Sequence, residues 1–270
     1  SNDISALSQP SQSSNTRSDP PPWLLRAGLH NPQGRTLALL GLVMAGPDCV
    51  WAILPRELIG ATRATLQRYV LRSKVTLSDA SDSHRIYGLA APIASGAAEE
   101  GLWVRHHEDR WLLIRSAAEP APQGSALSED SWHAADIAAG LPQVYVATSG
   151  QFVAQMLNLD CIGAISFTKG CYTGQEVIAR AHYRGRVKRR MQRFLSREPL
   201  RLSPGQAGEL GGRGDFRIVD SAQRADGRCE FLAVVAQPQP ADAPAPGAGQ
   251  AGTAQLIEAE CLPLPYSVPN

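Results

Sequence analysis

The sequence predicts an α+β protein with two textures along its 270 residues. Strand-like and helix-like segments mix without a regular repeat as far as about Arg184. Beyond it, short β-prone runs are broken by glycine-rich turns such as Gly211-Gly212-Arg213-Gly214. The one G-x-G-x-x-G match, Gly247 to Gly252, falls inside a stretch dominated by Ala, Pro, Gly and Gln rather than between a strand-like and a helix-like run, and no Walker-type phosphate loop occurs, which argues against a doubly wound nucleotide-binding sheet. The expected division is an α+β domain over residues 1–184 and a small C-terminal β-barrel over residues 185–270.

The elements follow in order. Gln9 to Pro22, rich in Ser, Asn, Gln and Pro, reads as a mobile surface loop. Trp23 to Leu29 and Thr36 to Met44 are apolar segments flanking the turn signal Asn31-Pro32-Gln33-Gly34, so two strands joined by a tight connection are expected, with Val50 to Leu54 as a third. Pro55-Arg56-Glu57 opens a helix whose Leu58, Ile59, Leu66, Tyr69 and Val70 fall near helical spacing. Val75 to Leu77 and Ile86 to Ala90 read as short strands, and Trp103 to His106 with Trp111 to Arg115 as a hairpin tipped by Glu108-Asp109. A second helix is expected from Asp130 to Ala139, stopped by Gly140 and Pro142. In the second texture the strands are Arg186 to Leu195, Phe216 to Asp220, Glu230 to Val235 and Ala254 to Cys261. A flexible loop is expected over residues 236–253, where Ala, Pro, Gly and Gln dominate.

Composition narrows the function classes. With 43% hydrophobic residues the chain can build a substantial core, and 26 basic against 25 acidic residues give no global attraction to nucleic acid or anionic membrane. The longest apolar stretches, such as Leu37 to Ala45, fall short of the roughly 20 residues that span a bilayer. Ser1-Asn2-Asp3-Ile4 lacks the basic region of a secretory signal, so a soluble, cytoplasmic protein is expected. Cys49, Cys161, Cys171, Cys229 and Cys261 are scattered and never form C-x-x-C, which disfavours a disulfide framework, a structural zinc site or a cluster-binding loop.

Chemistry concentrates in the octapeptide Lys169-Gly170-Cys171-Tyr172-Thr173-Gly174-Gln175-Glu176. Thr173 and Glu176 have the spacing of a capping box, predicting a helix that starts at Gly174 and runs through Val177, Ile178 and Ala181. Cys171 then falls just ahead of the helix N-terminus, where unpaired backbone N–H groups and the charge of Lys169 favour a reactive thiol. Gly170 and Gly174 leave room for close approach by backbone or ligand. A lone cysteine is more often a small buried hydrophobe, and only position and neighbours favour the reactive reading here. Such a thiol serves as nucleophile, redox-sensitive group or transient ligand, and the pattern does not choose among them. No His-Asp pair at a recognisable spacing supplies a base, and His182 lies about two turns farther along the helix.

The octapeptide belongs to a longer pattern. Ser149-Gly150-Gln151-Phe152, Asn158-Leu159-Asp160, Gly163 to Thr168, the octapeptide, Val177 to Arg180 and Tyr183 to Arg190 closely resemble the signature of the YgfZ family. Weaker similarity covers Asn31 to Arg35, Arg68 to Val75 and Leu264 to Pro269. That family is similar in fold to the glycine-cleavage T-protein, a tetrahydrofolate-dependent aminomethyltransferase with a folate-binding body and a C-terminal barrel. The resemblance implies a tetrahydrofolate or derivative bound in the central hollow. It also implies a role in sustaining iron–sulfur client enzymes, including one that modifies transfer RNA. It makes Cys171 and Lys169 the reactive pair, with Tyr172, Gly174, Gln175 and Arg180 as cofactor contacts.

The chain departs from the T-protein pattern in one chemically important place. Aligning the T-protein's Gly-Gly turn on Gln33-Gly34 puts Leu37 and Ala38 where that enzyme carries adjacent acidic residues. A cation developing during aminomethyl transfer would face an apolar wall. An aminomethyltransferase or other one-carbon transferase is therefore the alternative to the accessory role, and whether the chain turns over a substrate is left open. Ser1-Asn2-Asp3-Ile4 resembles the middle of a family motif that a strand and a helix normally precede, so the expectation is either a truncated N-terminus or a Ser1-Asn2 that is partly foreign to the natural chain.

Two further candidates remain. Trp132, in Trp-x-x-x-x-Ile-x-x-Gly-x-Pro, is the expected folate-stacking residue, with a helix tryptophan packed on a sheet as the plain alternative. Trp23, Trp51, Trp103 and Trp111 read as structural. The run Arg180, Arg184, Arg186, Lys188, Arg189, Arg190, Arg193 and Arg197 contains no acidic residue and fits a folate glutamate tail, RNA phosphates, or a strand edge protected by cations. With only Tyr183 and Phe194 interleaved, a stacking platform for single-stranded RNA is not indicated, and direct transfer-RNA binding is the lesser reading.

Overall fold

A computed structural model describes residues 22–90, 100–125, 127–185, 187–211, 213–237 and 256–269. The segment Ser1 to Ile4, most of the expected loops at 9–22 and 236–253, and Arg186 lie outside them. The chain is α+β, and it falls into two compact units, Ser1–Ala27 with Leu39–Ala126 and Gly28–Ala38 with Leu127–Asn270.

A hairpin of β1 (Leu25–His30) and β2 (Thr36–Gly46) runs through both units. Its turn is set by Asn31-Pro32-Gln33-Gly34. The Gly34 N–H donates to the Asn31 carbonyl (2.9 Å) and the Asn31 N–H to the Arg35 carbonyl (2.9 Å), while the Arg35 N–H donates to Asn31 Oδ1 (2.9 Å). Gly34 sits at φ 70, the left-handed position of a three-residue hairpin loop closed by a glycine bulge. This register places His30 opposite Thr36.

In the first unit β3 (Cys49–Ile53) pairs antiparallel with β2, and Pro55 leads through a 3-10 turn into α1 (Ile59–Gln67). A second sheet has the order β4 (His84–Leu89), β6 (Arg110–Ser116), β5 (Leu102–His107), the expected hairpin plus one strand. Leu42, Val43, Val104, Leu113 and Ile114 are buried. The Arg105 guanidinium lies 4.7 Å from the Trp23 ring and 4.8 Å from the Trp111 ring, a structural role for both indoles. Val75 to Leu77 is not a strand: Val75 is 52% exposed and its N–H turns back to Ser73. β-propensity there meets no neighbouring strand to pair with.

In the second unit α2 (Glu129–Ala138) starts at Ser128, whose Oγ accepts from the Ser131 N–H, and ends before Gly140 at φ 64. The curled sheet that follows has the order β11 (Leu256–Ile257), β8 (Ala207–Leu210), β9 (Gly214–Gln223), β10 (Arg228–Ala236), β7 (Arg189–Pro199), β12 (Ala259–Leu262). The expected last strand divides at Glu258, with β11 pairing parallel to β8 and β12 antiparallel to β7. One short segment thus borders both edges of the sheet, which must curl to bring them together. β8, too short to announce itself in the sequence, was not expected. The inside is filled by Phe194, Phe216, Phe231, Ile218, Ala233 and Val235, with the Phe194 and Phe231 rings 5.4 Å apart. α2 packs on β9 and β10.

Candidate functional site

The octapeptide is built onto the hairpin tip. The Gly28 N–H donates to the Ala164 carbonyl (3.2 Å), tying β1 to the segment that leads into the octapeptide, and Ala164 and Ile165 are buried before the chain becomes half-buried at Ser166. Ser166 Oγ accepts from the Lys169 N–H (3.3 Å) and turns the chain. The Lys169 ammonium lies 4.8 Å from the centre of the Tyr172 ring, so the motif's cation is directed onto its own aromatic residue. Cys171, between them, is exposed.

α3 (Gln175–Tyr183) follows, but not through the expected capping box. Its N-cap is Gly174 at φ 81, which has no side chain to cap with, so the helix begins one residue later than the Thr173/Glu176 spacing requires. The reason is close packing. A Cβ on Gly174 would stand 2.5 Å from the Asn31 carbonyl oxygen and 2.9 Å from Gly34 Cα. A Cβ on Gly34 would in turn stand 3.1 Å from the Val177 side chain. Two glycines therefore let the octapeptide and the hairpin turn meet backbone to backbone. Gln175 takes over local closure: its Oε1 accepts from the Tyr172 N–H (3.3 Å), and its N–H donates to the Tyr172 carbonyl (3.1 Å).

Below this junction lies a polar frame. Gln155 donates from Nε2 to the Ile178 carbonyl (2.7 Å), and Asn158, buried at φ 54, donates from Nδ2 to the Met191 carbonyl (2.9 Å). Arg190 binds Asp160 through both terminal nitrogens at 2.9 Å, with both side chains more than nine-tenths buried. Tyr266 donates to the Gly140 carbonyl (2.7 Å), and burial pushes its phenol up to about 12. Asn158, Asp160 and Arg190 thus carry structure within the family-like signature. His30 is buried, and burial, with the charge of Lys169 acting the same way, pushes its imidazole down to about 4.

The remaining candidates stand on α3 and α2. Arg180 is exposed on α3, and Trp132 is half-buried on α2, the helix that packs on β9 and β10. Beside it, His133 Nδ1 lies 3.7 Å from Asp220 Oδ1, and Tyr145 donates to the same carboxylate (3.1 Å). His182 stacks on Phe167 with ring centres 3.9 Å apart, a pairing the sequence hid because fifteen positions separate them. The basic run is dissected by the fold. Arg189 pairs with Asp215 (2.6 Å), Arg190 with Asp160, and Arg193 with the buried Glu230 (2.5 Å). Phe194 is fully buried, and β7 lies inside the sheet between β10 and β12, so the reading as a protected strand edge is overturned. The acids that neutralise the run come from distant segments. All five cysteines are unpaired.

No family model matches the chain. Curated relatives do. The tRNA-modifying protein YgfZ of Enterobacter sp. (strain 638) is 30% identical over 243 aligned positions, covering 79% of this chain and 73% of that protein. The chain belongs to the YgfZ family. The tRNA-modifying protein YgfZ of Klebsiella pneumoniae (strain 342) is 37% identical over 160 positions, covering 50% of this chain and 49% of that protein. Among the described residues no helix is long and apolar enough to cross a membrane.

Proposed function

We propose that this YgfZ-family chain is a folate-binding accessory protein that supports assembly or repair of iron–sulfur enzymes in the cytoplasm, with Cys171 as its reactive group. On this reading tetrahydrofolate or a derivative binds beside the octapeptide, and the effect on transfer RNA is indirect, through a client enzyme that modifies it. The name of the relatives, tRNA-modifying protein, agrees with that outcome. The observation that carries the reading is the exposed Cys171 in a loop held against the hairpin turn by Gly174 and Gly34, immediately ahead of α3. Cys171 stands three positions ahead of the Gly174 N-cap of α3, and the partial positive charge of a helix N-terminus favours a thiolate near it.

The rival reading as an aminomethyltransferase meets the hairpin itself. From Leu25 to Gly46 the sequence contains no Asp or Glu; Ala38 is buried, and Leu37 offers only its carbonyl, which accepts from Ser149 Oγ (2.8 Å). Nothing on these strands would stabilise a developing iminium. Direct contact with RNA phosphates is weakened by the three arginines already paired with acids. The test is Cys171→Ala in cells lacking the protein. Support of iron–sulfur enzyme activity should be lost while tetrahydrofolate affinity stays at the wild-type level, and full complementation by this variant would refute the reading. Formation of methylene-tetrahydrofolate from an aminomethyl donor would favour the transferase instead.

A further inference from the structure

At the C-terminal end of α3 the fold assembles an aromatic cluster that the order of residues conceals. Phe167, ahead of the octapeptide, stacks on His182, beyond it, with ring centres 3.9 Å apart and planes 16° from parallel. Tyr183 stands steeply inclined to both, its ring centre 4.8 Å from that of His182 and 6.0 Å from that of Phe167. Closing the octapeptide loop needs only the stacked pair. Tyr183 does not serve a core: it is 68% exposed, and His182 is exposed with it. In sequence the basic run has only Tyr183 and Phe194 as aromatic company. Phe194 turns into the sheet, and the fold sets Phe167 and His182 beside Tyr183 instead.

Two cations share this end of the helix. Arg180 precedes Tyr183 by three positions and Arg184 by four, the spacings at which helix side chains are neighbours. Both arginines are exposed, and unlike Arg189, Arg190 and Arg193 neither has an acidic partner among the described residues. From Val177 to Arg197 the sequence contains no Asp or Glu, and the one acid of α3, Glu176, lies about 10 Å from Tyr183 along the helix axis. Exposed ring faces beside unneutralised guanidinium groups suit a nucleic-acid strand, whose phosphates meet the cations while any base offers a flat face. An acidic peptide would use the cations and gain little from the rings. Paired bases have no free face to offer, and a long single strand needs a groove, whereas a compact cluster matches bases turned outward in a loop. We infer that Phe167, His182 and Tyr183, with Arg180 and Arg184, dock an unpaired base and its flanking phosphates in an RNA loop. The base lies on the exposed His182 or Tyr183 ring, and the two guanidinium groups take the phosphates. The surface stands independently of the folate reading.

Fluorescence anisotropy tests this with a labelled RNA hairpin carrying an unpaired loop, the same hairpin with abasic loop nucleotides, and a fully paired duplex of equal charge. The wild type should prefer the unpaired loop to both others. Tyr183→Leu and His182→Leu keep an apolar side chain and remove the flat face. At least one of them should weaken binding about five- to a hundredfold, with the slope of log affinity against log salt unchanged. Arg180→Gln with Arg184→Gln should make that slope shallower by about 1.4, the share of two single-strand phosphate contacts. Because Tyr183 is exposed, the melting temperature of Tyr183→Leu should match the wild type, which separates a lost contact from lost folding. Wild-type affinity in both leucine variants overturns the inference, as does equal affinity for the abasic hairpin or the duplex. Displacement of the RNA by poly-glutamate at equal charge points to an acidic protein partner and overturns it too.

Discussion

Replacing Gly174 by alanine tests the junction that positions Cys171. Two costs arise there and can be measured apart. The first is conformational: an L-residue at φ 81 is forced into the left-handed region, which costs about 1–2 kcal/mol. The second is steric. The new methyl would stand 2.5 Å from the Asn31 carbonyl oxygen and 2.9 Å from Gly34 Cα, both backbone atoms that cannot rotate away. Overpacking of this kind adds about 1–3 kcal/mol. The sum, roughly 2–5 kcal/mol, is a large part of a domain's stability of about 5–15 kcal/mol. Two other glycines calibrate it. Gly163, at φ 70 with nothing within 4 Å of its Cβ position, should show the conformational cost alone. Gly170, with no positive φ and equally open space, should change stability by less than about 0.5 kcal/mol. Urea unfolding of the three alanine variants should give midpoints in the order Gly170, Gly163, Gly174, with Gly174→Ala lowest. If Gly174→Ala unfolds no more easily than Gly163→Ala, the backbone contact between octapeptide and hairpin turn does not exist as described.

Three further outcomes are expected. Arg190→Met leaves the Asp160 carboxylate buried and unpaired and should destabilise by about 3–5 kcal/mol in urea unfolding, with much of the loss recovered by adding Asp160→Leu. The contact with Asp220 raises the His133 imidazole above its ordinary value of 6.5, against the opposing effect of partial burial. Its contribution is therefore complete below 6.5 and disappears as pH rises through the raised value. Melting temperatures of wild type should fall over that window relative to those of His133→Gln, and parallel curves would count against the contact. Finally, quenching of tryptophan fluorescence by tetrahydrofolate should shrink in Trp132→Phe; unchanged quenching would move the ring away from Trp132.

The hairpins were legible because their turns are written in local chemistry: Asn31-Pro32-Gln33-Gly34 and Glu108-Asp109 each sit between alternating apolar runs. α2 was legible from Gly140 and Pro142, which stop it, while its Ser128 cap went unread and the helix starts at Glu129, one residue before the expected Asp130. Long-range pairing was not. The capping box failed because Gly174 answers to Asn31, far away in sequence, rather than to Glu176. Likewise the run from Arg180 to Arg197 looked like free positive charge, since Asp160, Asp215 and Glu230 that neutralise part of it come from other segments. The octapeptide could be singled out by composition, but the ring contact that spans it could not: Phe167 and His182 stand fifteen positions apart until the fold stacks them.

The strand that bends at Glu258 has a consequence for how the protein is made. Its two halves pair with partners 47 positions earlier in β8 and 63 to 69 earlier in β7, so the sheet cannot close until residues 256–262 have left the ribosome. During synthesis β7 and β8 wait with open hydrogen-bonding edges, one of them apolar at Met191, Phe194 and Leu195. The segment behaves as a drawstring, and the interval before it is pulled is when this chain is most exposed to mispairing.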